Sequence, residues 1–158
     1  MNMEKKLVTV DYSLSLEEMI RAGKYFHVNL TPSEISQPKP QSKTVQQVNI
    51  EFVEFNQNCE MQTMLNKFDN DGLRPASLPE FLALGAQYPK LQEEFVITTL
   101  AAVEKRNFVN FKMVMEMGED RLIPCLTTAD NKRLLFWAAF DGEYRPGFLF
   151  ACVRKNTA

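Results

Sequence analysis

The stretch Gly72-Leu73-Arg74-Pro75-Ala76-Ser77-Leu78-Pro79-Glu80-Phe81-Leu82-Ala83-Leu84-Gly85 constrains the fold more than any other part of the chain. It is punctuated at both ends. Gly72 admits a turn. Pro75 holds Arg74 extended and out of the α region. Ser77 reads as an N-cap, and Glu80, three residues on, completes a capping box. Pro79 falls in the first helical turn, where a missing N–H costs little. Phe81, Leu82 and Leu84 supply an apolar face. Gly85 is expected at C′ in the left-handed conformation. The spacing predicts extended chain leading into a short helix that closes at Gly85.

At 158 residues, one domain with an N-terminal appendage is expected. Hydrophobic residues make up 45% and charged residues 24%, which is ordinary globular material. The formal net charge is −2, and no basic run exceeds pairs such as Lys5-Lys6 and Lys132-Arg133. A nucleic-acid footprint is therefore excluded as the basis of function. No segment approaches the roughly 18 apolar residues of a membrane span. Residues Met1 to Val10 carry Glu4, Lys5 and Lys6 but no apolar h-region, so no signal peptide and a cytoplasmic location are expected. Cys59, Cys125 and Cys152 are odd in number and far apart, so reduced thiols are expected. Cys125 and Cys152 sit in apolar runs and read as buried small hydrophobes.

Leu7 to Tyr12 alternates and is rich in β-formers, which predicts a strand. Ser15 and Glu18 form a second capping box, opening a short helix stopped by Gly23. Tyr25-Phe26-His27-Val28 reads as a further extended piece. Pro32, Pro38 and Pro40, with Ser, Gln and Lys between them, predict a linker over 31–47. The expected division is an N-terminal strand-helix segment over 1–30, this linker, and a main domain over 48–158. Val48 to Phe55 alternates strictly and reads as a strand. Met61, Met64, Leu65 and Phe68 share one helical face. After Glu94 the period changes from 3.6 to 2. Strands are expected over Phe95 to Val103, Phe108 to Met117, Arg121 to Thr127, Leu134 to Phe140 and Phe148 to Val153. The order is that of an α+β fold with an antiparallel strand meander. The last strand is expected to lie inside the sheet beside the one near Val48 to Phe55.

Several segments carry a resemblance. They are Leu73 to Gly85, Tyr88-Pro89, Leu91-Gln92 and the closing Phe150-Ala151-Cys152-Val153-Arg154-Lys155, together with Val10 to Ser13, Ser15 to Ile20 and Ala22 to Tyr25. The chain resembles a family of uncharacterised bacterial proteins, which implies no particular activity. More distantly, a helix start of the R-L-P-T-x-x-E type with a closing V-R strand resembles the bacterial C-type lectin-like fold. That resemblance implies a strand, two helices and a strand meander whose end pairs with its beginning. The chain lacks the W-I-G-L-like segment, the usual disulfide pairs, and the sugar and calcium motifs of that fold. Calcium-dependent sugar binding is therefore not implied.

The residues point to no catalytic constellation, cofactor or metal. His27 is the only histidine and has no Ser or Cys elbow nearby, so a structural or exposed role is expected. One His and three scattered Cys cannot furnish a zinc site. Asp69-Asn70-Asp71-Gly72 resembles a calcium loop, but Glu80 lies too far beyond the Gly and Pro75 intrudes. The adjacent carboxylates Glu17-Glu18 and Glu93-Glu94 diverge on a helix and read as solvated. Binding is expected instead through the late loop that includes Asp141, Glu143, Tyr144 and Arg145, with Trp137, Arg74 and Arg133 contributing. The first functional expectation is thus a non-catalytic binding or protein-interaction module for an unknown protein partner or small ligand. One alternative is a small enzyme using Asp141, Glu143 and Arg145 with His27. Another is a structural homo-oligomer built on the Met-rich Phe108 to Met117 segment. Neither nucleic acid nor membrane is an expected partner.

Overall fold

A computed structural model describes residues 3–29, 44–57, 59–101, 103–104, 121–139, 143–144 and 147–155. The terminal strand, β11 (Phe148–Arg154), runs through the middle of the sheet. Leu149, Ala151 and Val153 enter one core, whereas Phe150 and Cys152 enter another. A strand covered on both faces cannot alternate apolar with polar, which is why this stretch reads as one unbroken apolar run.

Among the described residues the sheet runs in the order β1 (Lys6–Asp11), β3 (Val45–Glu54), β11, β6 (Val96–Thr98), β8 (Arg121–Ala129), β9 (Lys132–Ala139) and β2 (His27–Val28). β5 (Leu73–Pro75) pairs with the far end of β11, and β7 (Val103–Glu104) pairs with β8. The β11–β3 pairing is antiparallel, with Cys152 opposite Glu51. The β11–β6 pairing is parallel. β8 and β9 form a hairpin whose turn residues Asp130 and Asn131 have φ of 52° and 63°. Short polar side chains tolerate that left-handed pair, and its twist suits a tight hairpin.

One face of the sheet is covered by α1 (Leu16–Ala22) and α3 (Leu78–Gln87). Leu16 from the first, and Leu78, Phe81, Leu82 and Leu84 from the second, join Val8, Val10, Ile97, Leu126 and Trp137. The other face is covered over β11 by α2 (Met61–Asn70), through Met64 and Phe68. Phe55, Phe68 and Phe150 cluster there with ring centroids 5.4 to 6.3 Å apart. A one-turn helix, α4 (Leu91–Glu94), precedes β6. The architecture is α+β with an antiparallel-rich sheet, as the element order implies.

The N-terminal segment is part of this sheet. β1 pairs with β3 from Lys6↔Ile50 to Asp11↔Val45, and Val8 and Val10 are fully buried. β3 starts at Val45, inside the stretch read as linker. Residues 30–43 lie outside the described ones.

Three local expectations need correction. The strand expected over Phe95 to Val103 is two strands, β6 and β7. Between them Thr99 is buried and its hydroxyl donates to the Ala76 carbonyl. The stretch expected as a loop after Asp141 contains β10 (Glu143–Tyr144), which pairs with β4 (Cys59–Glu60). Gly85 does not close α3, which continues to Gln87. A Cβ at Gly85 would lie 2.1 Å from the Tyr25 hydroxyl oxygen, so the glycine is required by the approach of Tyr25 rather than by a left-handed turn. Gly72 does take the left-handed conformation, with φ of 74°. The Phe108 to Met117 segment lies outside the described residues.

Candidate functional site

Arg74 is placed by two neighbours in sequence. Pro75 keeps it extended, and β5 pairs it with Val153 of β11. Its guanidinium therefore reaches the first turn of α3. There Glu80 is the N3 residue of the expected capping box: the Ser77 N–H donates to Glu80 Oε1 at 2.7 Å, and the Glu80 N–H donates to Ser77 Oγ. Arg74 adds a bidentate pair to the same carboxylate, Nη1 to Oε1 at 2.8 Å and Nη2 to Oε2 at 2.9 Å. Glu80 is 1% exposed. Burial pushes its carboxyl up, but the Arg74 bonds and the Ser77 amide outweigh burial and hold its pKa below the usual range. The Arg74 pKa is raised by its bond to Glu80. Arg74 stays 43% exposed in its side chain, so one face of a fixed guanidinium looks outward.

It looks into a polar cleft of about 370 Å³. The cleft opens because β3 and β11 part company. They pair only as far as Glu51↔Cys152; past it β11 keeps β5 on its opposite edge, and among the described residues no strand pairs with it on the β3 side. Gln46, Gln47, Val48 and Asn49 form one wall, and Arg74, Val153 and Arg154 form the other. Tyr12 and Lys5 stand at the rim. Glu51 receives Arg154 Nε at 3.0 Å and has Lys5 Nζ at 3.9 Å. Burial, and then the nearby Glu80 carboxylate, raise the Tyr12 pKa. Burial, with Glu51 adding to it, pushes the Cys152 thiol beside the cleft up to about 12. At neutral pH that sulfur is a protonated, inert thiol. A second hollow of about 460 Å³ lies over Tyr88, Leu91 and Phe95, with an apolar lining and Lys6, Lys90 and Glu94 at its edge.

The other expected contact residues fall elsewhere. Trp137 is 2% exposed and belongs to the core. Its backbone N–H and carbonyl are both held by the Asn29 side chain, at 2.7 and 2.8 Å. A tryptophan on an inward-facing position of β9 has no surface to offer, so its assignment to binding is corrected. Arg133 is likewise engaged internally. Its guanidinium donates to the carbonyls of Gly23, Gly85 and Pro89 and stacks 4.9 Å from the Tyr25 ring centroid. It clamps the ends of α1 and α3 to the sheet. Burial pushes the pKa of Tyr25, held under that clamp, up to about 12. Glu143 and Tyr144 are in β10; Asp141 and Arg145 lie outside the described residues. His27 is exposed on β2. Among the described residues no group of three or more His, Cys, Asp or Glu side chains converges as a metal site. Nor is any helix there long and apolar enough to cross a membrane.

Of the expected contact residues, then, Arg74 lines the described cleft. The sequence reading missed its partner. Arg74, Ser77 and Glu80 are spaced three apart, and the same carboxylate that caps the helix anchors the arginine. An arginine held extended by Pro75, just before a capping box, is the signal that could have revealed it. The reading also missed Gln87 and Tyr88. Gln87 exchanges two hydrogen bonds with the Thr9 backbone, and Tyr88 Oη donates to the Leu7 carbonyl. These side chains cover the outer edge of β1. No protein-family model, curated protein or solved structure matches the chain.

Proposed function

We propose that the protein is a non-catalytic binding module whose contact surface is the cleft between β3 and β11. One observation carries this reading. Arg74 is oriented by a buried bidentate carboxylate yet keeps an outward face at the wall of an open polar cleft. A guanidinium fixed in advance loses little freedom when it meets a ligand, so more of the contact energy appears as affinity. The neighbouring thiol and carboxylates favour recognition over chemistry. Cys152 is protonated, and Glu51 and Glu80 are both occupied by cations. A C-type lectin-like topology is part of the proposal. Its support is the return of β11 onto β3 after α2 and α3.

The test is capture of partners from the native host with tagged wild type and with the Lys5→Glu/Gln47→Glu variant. Both substitutions are at exposed positions on the cleft and leave the core untouched. The reading expects a stoichiometric partner that the variant loses at least tenfold, with an unchanged melting temperature. Equal recovery by both proteins would contradict it.

A further inference from the structure

The cleft exposes a length of unpaired strand. Tyr12 N–H donates to the Thr44 carbonyl, which makes Tyr12↔Thr44 a hydrogen-bonded rung between β1 and β3. Hydrogen-bonded rungs alternate in an antiparallel pair. The rungs at Gln46, Val48 and Ile50 therefore point toward β1, given the register Gln46↔Val10 and Val48↔Val8. Gln87 confirms this parity from the other side. It bonds the backbone of Thr9, which stands opposite Gln47, so Thr9 faces away from β3. The N–H and C=O groups of Val45, Gln47 and Asn49 consequently point away from β1, along the edge that β11 leaves after Cys152. Among the described residues no strand pairs with them there.

An open edge is a template for another strand, and proteins ordinarily cover it. This protein covers the outer edge of β1 with Gln87 and Tyr88, and the edge of β9 with β2. Among the described residues the β3 edge is left open within a cleft bordered by charge. Lys5, Arg74 and Arg154 face two carboxylates, Glu51 and Glu80, both already paired. The local balance is one positive charge. Arg74 also retains its Nε–H and one Nη2 hydrogen beyond the bonds to Glu80 and Pro75.

Resting on the cleft reading above, we infer that the ligand is an extended peptide segment bearing acidic side chains, which adds as a strand to β3 along Val45, Gln47 and Asn49. Main-chain hydrogen bonds to that edge supply affinity, and the cations select the side chains. Lys5 is 59% exposed in its side chain and contributes attraction without a structural duty beyond a 3.9 Å approach to Glu51.

The test uses three acetylated, amidated hexapeptides on the intact chain. One alternates valine with glutamate, one alternates valine with lysine, and the third is the glutamate peptide N-methylated at every internal amide. Amide exchange is read by NMR. The inference expects the glutamate peptide to slow exchange at Gln47 and Asn49 at least tenfold and to bind at least tenfold tighter than the lysine peptide. The N-methylated peptide, which cannot complete a ladder, should not protect those amides. Lys5→Glu should weaken the glutamate peptide several-fold. Binding that perturbs Arg74 and Tyr12 without protecting Gln47 and Asn49 would overturn strand addition while leaving a ligand-binding cleft. Absence of binding by every peptide would overturn the inference as well; the capture experiment then decides the cleft reading alone. Protection of the two amides that rises with protein concentration without peptide would overturn it in favour of edge pairing between two copies of the chain.

Discussion

Glycine at position 85 costs helix stability, since alanine is better inside a helix by ~1 kcal/mol. Tyr25 reverses that preference. A Cβ at Gly85 would meet its hydroxyl oxygen at 2.1 Å, and a Cβ at Gly23 would meet its ring carbons at 2.2 and 2.4 Å. Gly85→Ala should therefore destabilise the protein by about 1–3 kcal/mol in urea unfolding. Tyr25→Phe removes the obstructing oxygen. Added to Gly85→Ala it should recover most of the loss, whereas it should not rescue Gly23→Ala, whose clash is with the ring. Equal rescue of both glycine variants would contradict this packing. Glu80 gives a second prediction at this scale. Its carboxyl pKa is lowered in the folded state. The unfolded chain therefore binds the proton more readily, and the stabilisation is present above the unfolded value near ~4.3 and lost as pH falls through the folded one. Glu80→Gln should cost about 2–3 kcal/mol at pH 7 and remove that part of the acid-side decline in stability. An unchanged slope below pH 5 would refute the assignment.

Arg133 belongs to the scale of elements, because it connects them. It caps carbonyls at Gly23, at Gly85 and at Pro89, so one side chain fixes α1 and α3 against β9. A planar fork spreads its donors over three nitrogens and reaches three separated carbonyls, which the compact ammonium of lysine does not span. Arg133→Lys should lower stability by about 2–4 kcal/mol despite conserving charge, measured by urea denaturation. A loss below 0.5 kcal/mol would show that the clamp is dispensable. Elements such as α3 were legible in the sequence because their determinants are local. Ser77, Pro79 and Glu80 act within one turn, and the Ser15-Glu18 box likewise forms as expected. The apolar run of β11 also announced its central place. Arg133, Gln87 and Trp137 were misread or missed because their roles depend on residues tens of positions away. An arginine just after a turn looks like a contact residue, and so does a lone tryptophan. Only the register of β8 with β9 and the docking of α3 decide otherwise. Arg74 was legible as a contact residue, but its pairing with Glu80 was not.

At the scale of the whole molecule, the N-terminal strand and helix are structural members of the sheet and its first core. Val8 and Val10 of β1 and Leu16 of α1 are buried with residues from α3, β8 and β11. Removing residues 1–43 would expose that face and the whole inner edge of β3. The truncated chain should show no cooperative thermal transition by circular dichroism, whereas the intact chain should show one. A truncated protein that melts cooperatively near the intact value would make the segment an accessory. The edge of β3 that no described strand pairs with is the other property at this scale, since it results from β11 and β3 ceasing to pair after Cys152. Amide hydrogen exchange of the free protein tests it most directly. Val48 and Ile50, whose N–H groups face β1, should exchange slower than Gln47 and Asn49 by ~100-fold or more. Uniform protection from Gln47 to Ile50 would mean that the edge is already occupied, and the account of the cleft would be wrong.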